Sequence, residues 1–226
     1  MSDQHVLLHR PGLVAYGEAL AWQQARAEAV RAGEASEVLV LLQHPPVYTL
    51  GMRGGREHLL VAPEQLAWRG ASVVATDRGG DITFHGPGQL VAYPILDLRR
   101  RGLGPASYVR MLEATIIGTL ARSGIEATRV PGRPGVWAEG SKVAALGVRV
   151  RGGVSTHGLA LNVSTDLGWF GLIVPCGIAD AGVTSMERLL GGAPPHEAVE
   201  EALTEAFARV FEVRLVTSEP ALAGVR

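Results

Sequence analysis

Two periods of apolar residues alternate along the chain, and the points where one gives way to the other mark its elements. From Leu13 to Ala32, "LVAYGEALAWQQARAEAVRA" sets Leu13, Ala19, Leu20, Ala27 and Val30 among polar residues at helical spacing, and Gly33 ends the run. This predicts a helix. "EVLVLLQH" is a continuous apolar run bounded by Pro45 and Pro46, the pattern of a strand buried on both faces. "SVVATDR", "ITF", "QLVAYPILDL", "GVWAEG", "KVAALGVRV" and "THGLALNV" are brief, rich in β-branched and apolar residues and separated by Gly-rich turns, so each is read as a strand. "PASYVRMLEATIIGTLARSG" reads as a helix opened by Pro105 and closed by Gly124. "PPHEAVEEALTEAFARVF" gives a C-terminal helix and "EVRLV" a last short strand. Clustered strands with few helices between them predict an α+β fold, a mixed β-sheet carrying packed helices on one side, in place of strict βαβ alternation. With no internal repeat, residues 1–226 are expected to form a single domain.

Composition narrows the function. A hydrophobic content of 47% with 19% charged residues describes an ordinary soluble globular protein. The net charge of -1 argues against a general nucleic-acid binder, which needs an excess of Lys and Arg to displace counterions from phosphates. The N-terminus lacks the basic start and apolar stretch of a secretory signal, and no segment approaches the roughly 18 uninterrupted apolar residues of a membrane span. A cytoplasmic protein without a membrane partner is expected. The single cysteine, Cys176, excludes an internal disulfide and any cysteine-rich metal site, and no metal or cofactor is expected. Neither GxxxxGK[ST] nor a helix-opening GxGxxG is present, so the familiar phosphate loops do not apply.

Two stretches carry candidate chemistry. "RGGDITFHGPGQ", from Arg78 to Gln89, surrounds Arg78, Thr83 and His85 with Gly79, Gly80, Gly86 and Gly88, and reads as a hairpin-like excursion between two strands. Tight turns explain glycines by themselves, but convergent polar groups beside bare backbone are what a narrow ligand pocket needs. "GLIVPCGI" places Cys176 after an apolar run, where the chain turns. A free cysteine is usually a small buried hydrophobe; a nucleophile needs a partner that favours thiolate. Lys142 in "EGSKVAALG", His157 in "STHGLALN" and His85 are the candidates.

These stretches resemble a known family. "RGGDITFHGPGQLVAY", "GSKVAALGVRVRGGVSTHGLALNV" and "VPCGI", preceded by "LLQHPPVYTLG", follow in order the signature blocks of the octanoyltransferases, the lipoyl(octanoyl) transferases. The resemblance covers nearly the whole chain. It implies the fold of biotin and lipoate protein ligases. It also implies transfer of an octanoyl or lipoyl group from acyl carrier protein to a lysine of lipoyl domains, those of 2-oxoacid dehydrogenases and of the glycine cleavage H protein. On the same basis Cys176 and Lys142 are the catalytic pair. The acyl pocket is implied to be lined by Arg78, Gly79, Gly80, Asp81, Ile82, Thr83, Phe84 and His85, by Ala145, Leu146 and Gly147, and by Gly158, Leu159 and Ala160.

The chemistry is consistent with that assignment. Exchange of one thioester for another is nearly neutral, and attack of an amine on the second gives a stable amide without ATP. A Lys ammonium within about 4 to 6 Å lowers a thiol pKa by roughly 1 to 3 units, and after acylation the same lysine can serve as base. Backbone N–H groups near Cys176 or in the Lys142 strand are the expected oxyanion donors. Arg99 to Arg101, or Arg149 with Arg151, are candidate docking sites for an acidic carrier. An ATP-dependent ligase on the same fold, a Cys176–His157 hydrolase and a noncatalytic acyl-binding module remain as alternatives.

Overall fold

The computed structural model describes residues 5–174 and 182–218, so Cys176 lies outside the described residues. In chain order the elements are β1 (His5–Leu13), α1 (Tyr16–Ala32), β2 (Val38–Gln43), β3 (Val47–Leu50), α2 (Pro63–Trp68), β4 (Ser72–Ala75), β5 (Ile82–His85) and β6 (Gln89–Ile95). There follow α3 (Pro105–Arg122), β7 (Thr128–Val130), β8 (Arg133–Ala138), β9 (Ser141–Arg151), β10 (Val154–Asn162), α4 (Met186–Leu190), α5 (His196–Phe211) and β11 (Arg214–Thr217). Each strand and helix expected from the sequence is present. The elements β1, β3, β7, α2 and α4 come in addition.

One mixed sheet has the order β11-β1-β2-β6-β10-β9-β8-β7, with β1 parallel to both β11 and β2 and the remaining pairs antiparallel. Its centre follows directly from the unbroken apolar run of β2. Because successive side chains of a strand point to opposite faces, Val38, Val40 and Leu42 pack with α1, while Leu39 and Leu41 join the core beneath α3 and α5. Helices therefore cover both faces, not the single face expected. On α1 the buried residues Tyr16, Ala19, Gln23, Ala27 and Val30 recur at three- and four-residue spacing, and Gly33, at φ 78°, closes the helix in the left-handed conformation. On the other face, Tyr108, Leu112, Ile116 and Leu120 of α3 meet Val199, Leu203, Phe207 and Phe211 of α5.

A second sheet, β4-β3-β5, lies outside this plan. Its core joins Tyr48, Leu50, Leu66, Ala71, Ile82, Phe84 and Ile173, with Phe84 stacked on Trp169 at 5.2 Å. The stretch from Arg78 to Gln89 is thus not a hairpin between two neighbouring strands. It carries β5, which pairs with β3, and then passes to β6 in the large sheet. No helix among the described residues is long and apolar enough to cross a membrane.

Candidate active site

Between the two sheets lies a cavity of about 470 Å³, within the usual range for a small-molecule site. Its floor is the face of the large sheet that also supports α1. There Val91 of β6, Ala160 of β10 and Ala145 of β9 stand side by side across the strands. One row on, Gly158 is paired with Gly147, and in the other direction Asn162 is paired with Gln89. Successive rows on one face are about 7 Å apart, so the floor is polar at one end and small and apolar in the middle. The small sheet and its leading loop form the opposite wall through Arg78, Gly80, Asp81, Ile82, Thr83 and His85.

Leu146 and Leu159 also line the cavity, so the structure brings together all the expected pocket residues except two. Phe84 points away into the small-sheet core, and Gly79 is held by its N–H to the Val148 carbonyl at 3.0 Å. Residues not anticipated as lining include Tyr16, Arg53, Arg133, Asn162 and Phe170. Asn162 carried a signal in the sequence: it is the lone polar side chain ending the apolar run "GLALN".

Gly80 and Gly88, at φ 93° and 80°, meet the turn reading of the Arg78–Gln89 stretch, and close approach of backbone accounts for other glycines around the cavity. A loop from Gly51 lies along the Arg78–Asp81 loop, with N–H groups of Gly51, Met52 and Arg53 donating to the carbonyls of Asp81, Arg78 and Gly80 at 3.2, 3.0 and 3.0 Å. A Cβ on Gly51 would sit 2.4 Å from the Gly80 carbonyl oxygen, and one on Gly158 would sit 2.1 Å from that of Ala92. At Gly51 and Gly158 the bare backbone is approached by other backbone of the same chain.

Polar groups around the cavity are fixed by neighbours. Arg78 is buried, donating from Nε and Nη2 to Thr49 Oγ1 at 3.0 and 2.9 Å and from Nη2 to the Thr49 carbonyl at 2.6 Å. His85 donates from Nδ1 to Gln89 Oε1 at 2.7 Å. Burial, with His44 and Arg78 nearby, pushes its pKa down to about 3, so the ring is neutral. His44 is likewise lowered to about 4 by burial; it donates from Nδ1 to the Val14 carbonyl and accepts at Nε2 from the Tyr93 hydroxyl, both at 2.7 Å. Burial raises Tyr16, stacked on His85, to about 12. His157 sits at φ 57°, a left-handed conformation uncommon outside glycine, and donates from Nε2 to Asp77 at 2.7 Å. Burial holds its pKa below the ordinary value, against the opposing pull of Asp77. Asp81 accepts from His58 Nδ1 at 2.7 Å and from the Ile82 N–H at 2.6 Å.

Lys142 lies near the start of β9 and lines the cavity with its ammonium 5.0 Å from the centre of the Trp137 ring, whose face attracts a cation. Its N–H donates to the Gly182 carbonyl at 2.8 Å and its carbonyl accepts from the Thr184 N–H at 3.0 Å. On the other side, the Val174 N–H donates to the His58 carbonyl at 3.0 Å. Both described ends of the segment containing Cys176 are thus tied to residues around the cavity. The candidate docking arginines are largely engaged: Arg99 and Arg100 pair with Asp97, Arg101 is buried against Glu37, and Arg149 pairs with Asp77.

Comparison with known proteins gives a consistent picture. Residues 15–208 match the lipoyl protein ligase A/B catalytic domain. A Myxococcus xanthus protein named octanoyltransferase is 46% identical over 97% of the chain, which spans 63% of that longer relative. A Chloroflexus aggregans octanoyltransferase is 46% identical over 92% of the chain and 95% of its own length. In structure, a lipoate-protein ligase A solved with ATP superposes with a TM-score of 0.78 over 98% of this chain and 90% of the other, at 16% identity.

Proposed function

The chain belongs to the lipoyl protein ligase A/B catalytic family and within it to the octanoyltransferases, and from that premise we propose that it moves an octanoyl group from acyl carrier protein to a lysine of lipoyl domains through a thioester on Cys176. Acceptors on this reading are the lipoyl domains of 2-oxoacid dehydrogenases and the glycine cleavage H protein, and the described fold works as one catalytic unit. The observation that carries it is the cavity itself. A floor of Val91, Ala160 and Ala145 runs toward Lys142, and the backbone of Lys142 bonds to Gly182 and Thr184, which follow the cysteine in the chain. An octanoyl tail laid on that floor gains about 0.8 kcal/mol for each methylene removed from water.

In the first step the Cys176 thiolate attacks the carbonyl carbon of the donor thioester, and the carbonyl electrons move to oxygen. The carbonyl then re-forms, and the C–S bond to the carrier breaks. The departing thiolate takes the proton of the Lys142 ammonium. In the second step the neutral Lys142 accepts a proton from the acceptor amine as it attacks the new thioester, and the Cys176 thiolate leaves. Arg78 and His85 shape the wall, His85 as a neutral ring.

Intact-protein mass after mixing with octanoyl-acyl carrier protein tests the reading. One added octanoyl group, labile to hydroxylamine and absent from Cys176→Ala, is expected, with transfer to a lipoyl domain proceeding without ATP. Full transfer by Cys176→Ala eliminates the covalent route, and strict dependence on ATP indicates a ligase.

A further inference from the structure

Asn162 ends β10 at the polar end of the cavity floor, 4% exposed, and its amide is oriented by two neighbours. Gln89 donates both of its amide hydrogens, to the Phe84 carbonyl at 3.2 Å and to Asn162 Oδ1 at 2.9 Å, while its oxygen accepts from His85. With Oδ1 facing Gln89, Asn162 Nδ2 faces the Thr184 carbonyl and donates to it at 3.0 Å. Thr184 in turn donates its N–H to the Lys142 carbonyl at 3.0 Å. The chain of bonds therefore fixes the Asn162 amide relative to the strand that carries Lys142.

An amide nitrogen has two hydrogens, and the second on Asn162 has no acceptor among the described residues. A spare donor in a buried amide is costly unless a ligand takes it. Asp81 is the one carboxylate among the described lining residues; its Oδ1 accepts from His58 and the Ile82 N–H, and no bond joins it to Asn162. The open hydrogen thus belongs to a cavity whose ligand, on the function proposed above, brings a thioester carbonyl.

We propose that Asn162 is a catalytic residue whose second Nδ2–H donates to the thioester carbonyl oxygen and, more strongly, to the oxyanion formed when sulfur or amine adds to that carbonyl. Gln89 and Thr184 are positioning residues that hold the amide in its donating orientation. A pre-oriented neutral donor needs no reorganisation as charge develops on the oxygen. It serves both steps, because each passes through a tetrahedral intermediate at the same carbon. The assignment rests on the acyl-transfer reading and adds a side-chain donor to the backbone N–H groups expected from the sequence.

The experiment is single-turnover acylation by octanoyl-acyl carrier protein, followed by intact mass over a range of donor concentrations. Wild type that takes up no acyl group overturns the acyl-transfer reading and this proposal with it. With wild type acylated, Asn162→Asp keeps the shape but leaves no hydrogen for the substrate. Its maximal rate is expected to fall about 100- to 1000-fold, with the half-saturating donor concentration within about 3-fold of wild type. A fall smaller than about 3-fold, or one matched by a rise in half-saturation, overturns the assignment while the acyl-transfer reading stands. If Asn162→Asp does not fold, Gln89→Met carries the test, since it keeps the donor but removes its lock. A fall of about 10-fold in maximal rate at unchanged half-saturation supports the proposal, and an unchanged rate overturns it.

Discussion

Gly51→Ala tests whether the glycines around the cavity exist for contact between two stretches of backbone. The new Cβ would lie 2.4 Å from the Gly80 carbonyl oxygen, 2.9 Å from the Gly80 carbonyl carbon and 2.7 Å from Arg78 Nη1. Clearing the oxygen to 3.0 Å needs the two loops to part by about 0.6 Å. The hydrogen bonds joining them, now 3.2, 3.0 and 3.0 Å, would then exceed the ordinary range. At about 0.5 to 1.5 kcal/mol each, their loss costs about 1.5 to 4.5 kcal/mol. Gly17→Ala is the matched control. Gly17 lies within α1 with nothing within 4 Å of its would-be Cβ, so alanine there is expected to stabilise by about 0.5 to 1 kcal/mol. Urea denaturation of both variants reads the contrast. Because Gly80 and Asp81 line the cavity, octanoyl transfer by folded Gly51→Ala should also fall, by about 10-fold or more. Gly51→Ala within about 0.5 kcal/mol of wild type, or as stabilising as Gly17→Ala, would refute the reasoning.

Tyr93→Phe removes the hydroxyl that donates to His44 Nε2, leaving a fully buried ring nitrogen unpaired, and should cost about 1 to 3 kcal/mol by denaturation. The histidines should separate by pH in ring-proton NMR. His44 and His85, lowered to about 4 and about 3, stay flat from about pH 5 to 8. Their folded pKa values lie below the unfolded one. Stability they contribute is therefore present above about pH 6.5 and is lost as pH falls toward those values. His58, raised chiefly by its hydrogen bond to Asp81, has the opposite sign. Its contribution is complete below about pH 6.5 and disappears as pH rises through its folded pKa, and His58→Gln should remove that part of the profile.

Much of the fold could be read from periodicity because most central elements bury a regular stripe. The run in β2, the helical spacing in α3 and α5, and the β-branched residues of β9 and β10 each point to one conformation. The elements that escaped are short or hold polar residues within them. In β1, "HVLLHRPGL" contains Pro11 and Gly12, which read as a turn, yet parallel pairing to β2 and β11 holds it as a strand. In β3, "VYTL" is only four residues long and follows two prolines. Missing β3 also meant missing the small sheet, and so the real partner of β5. The site was partly legible through its motifs, since Arg78, His85, Lys142 and Ala160 converge as expected. What the string could not display is tertiary proximity. The pairing of Gln89 with Asn162 depends on the register of β6 against β10, and the glycine contacts depend on a loop some thirty residues away in sequence.

The division of the cavity between a large sheet and a small one has a consequence for how the molecule breathes. Its floor belongs to strands hydrogen-bonded on both sides in a sheet that carries helices on both faces, whereas its opposite wall rests on a separate apolar cluster around Tyr48 and Phe84. Two clusters allow two cooperative units. Amide protons of β3 and β5 are therefore expected to exchange through an excursion that leaves β6 and β10 protected. Such an excursion would leave the β6–β10 register in place but release Gln89 from its two partners on β5, the Phe84 carbonyl and the His85 ring, and so loosen the hold on the Asn162 amide.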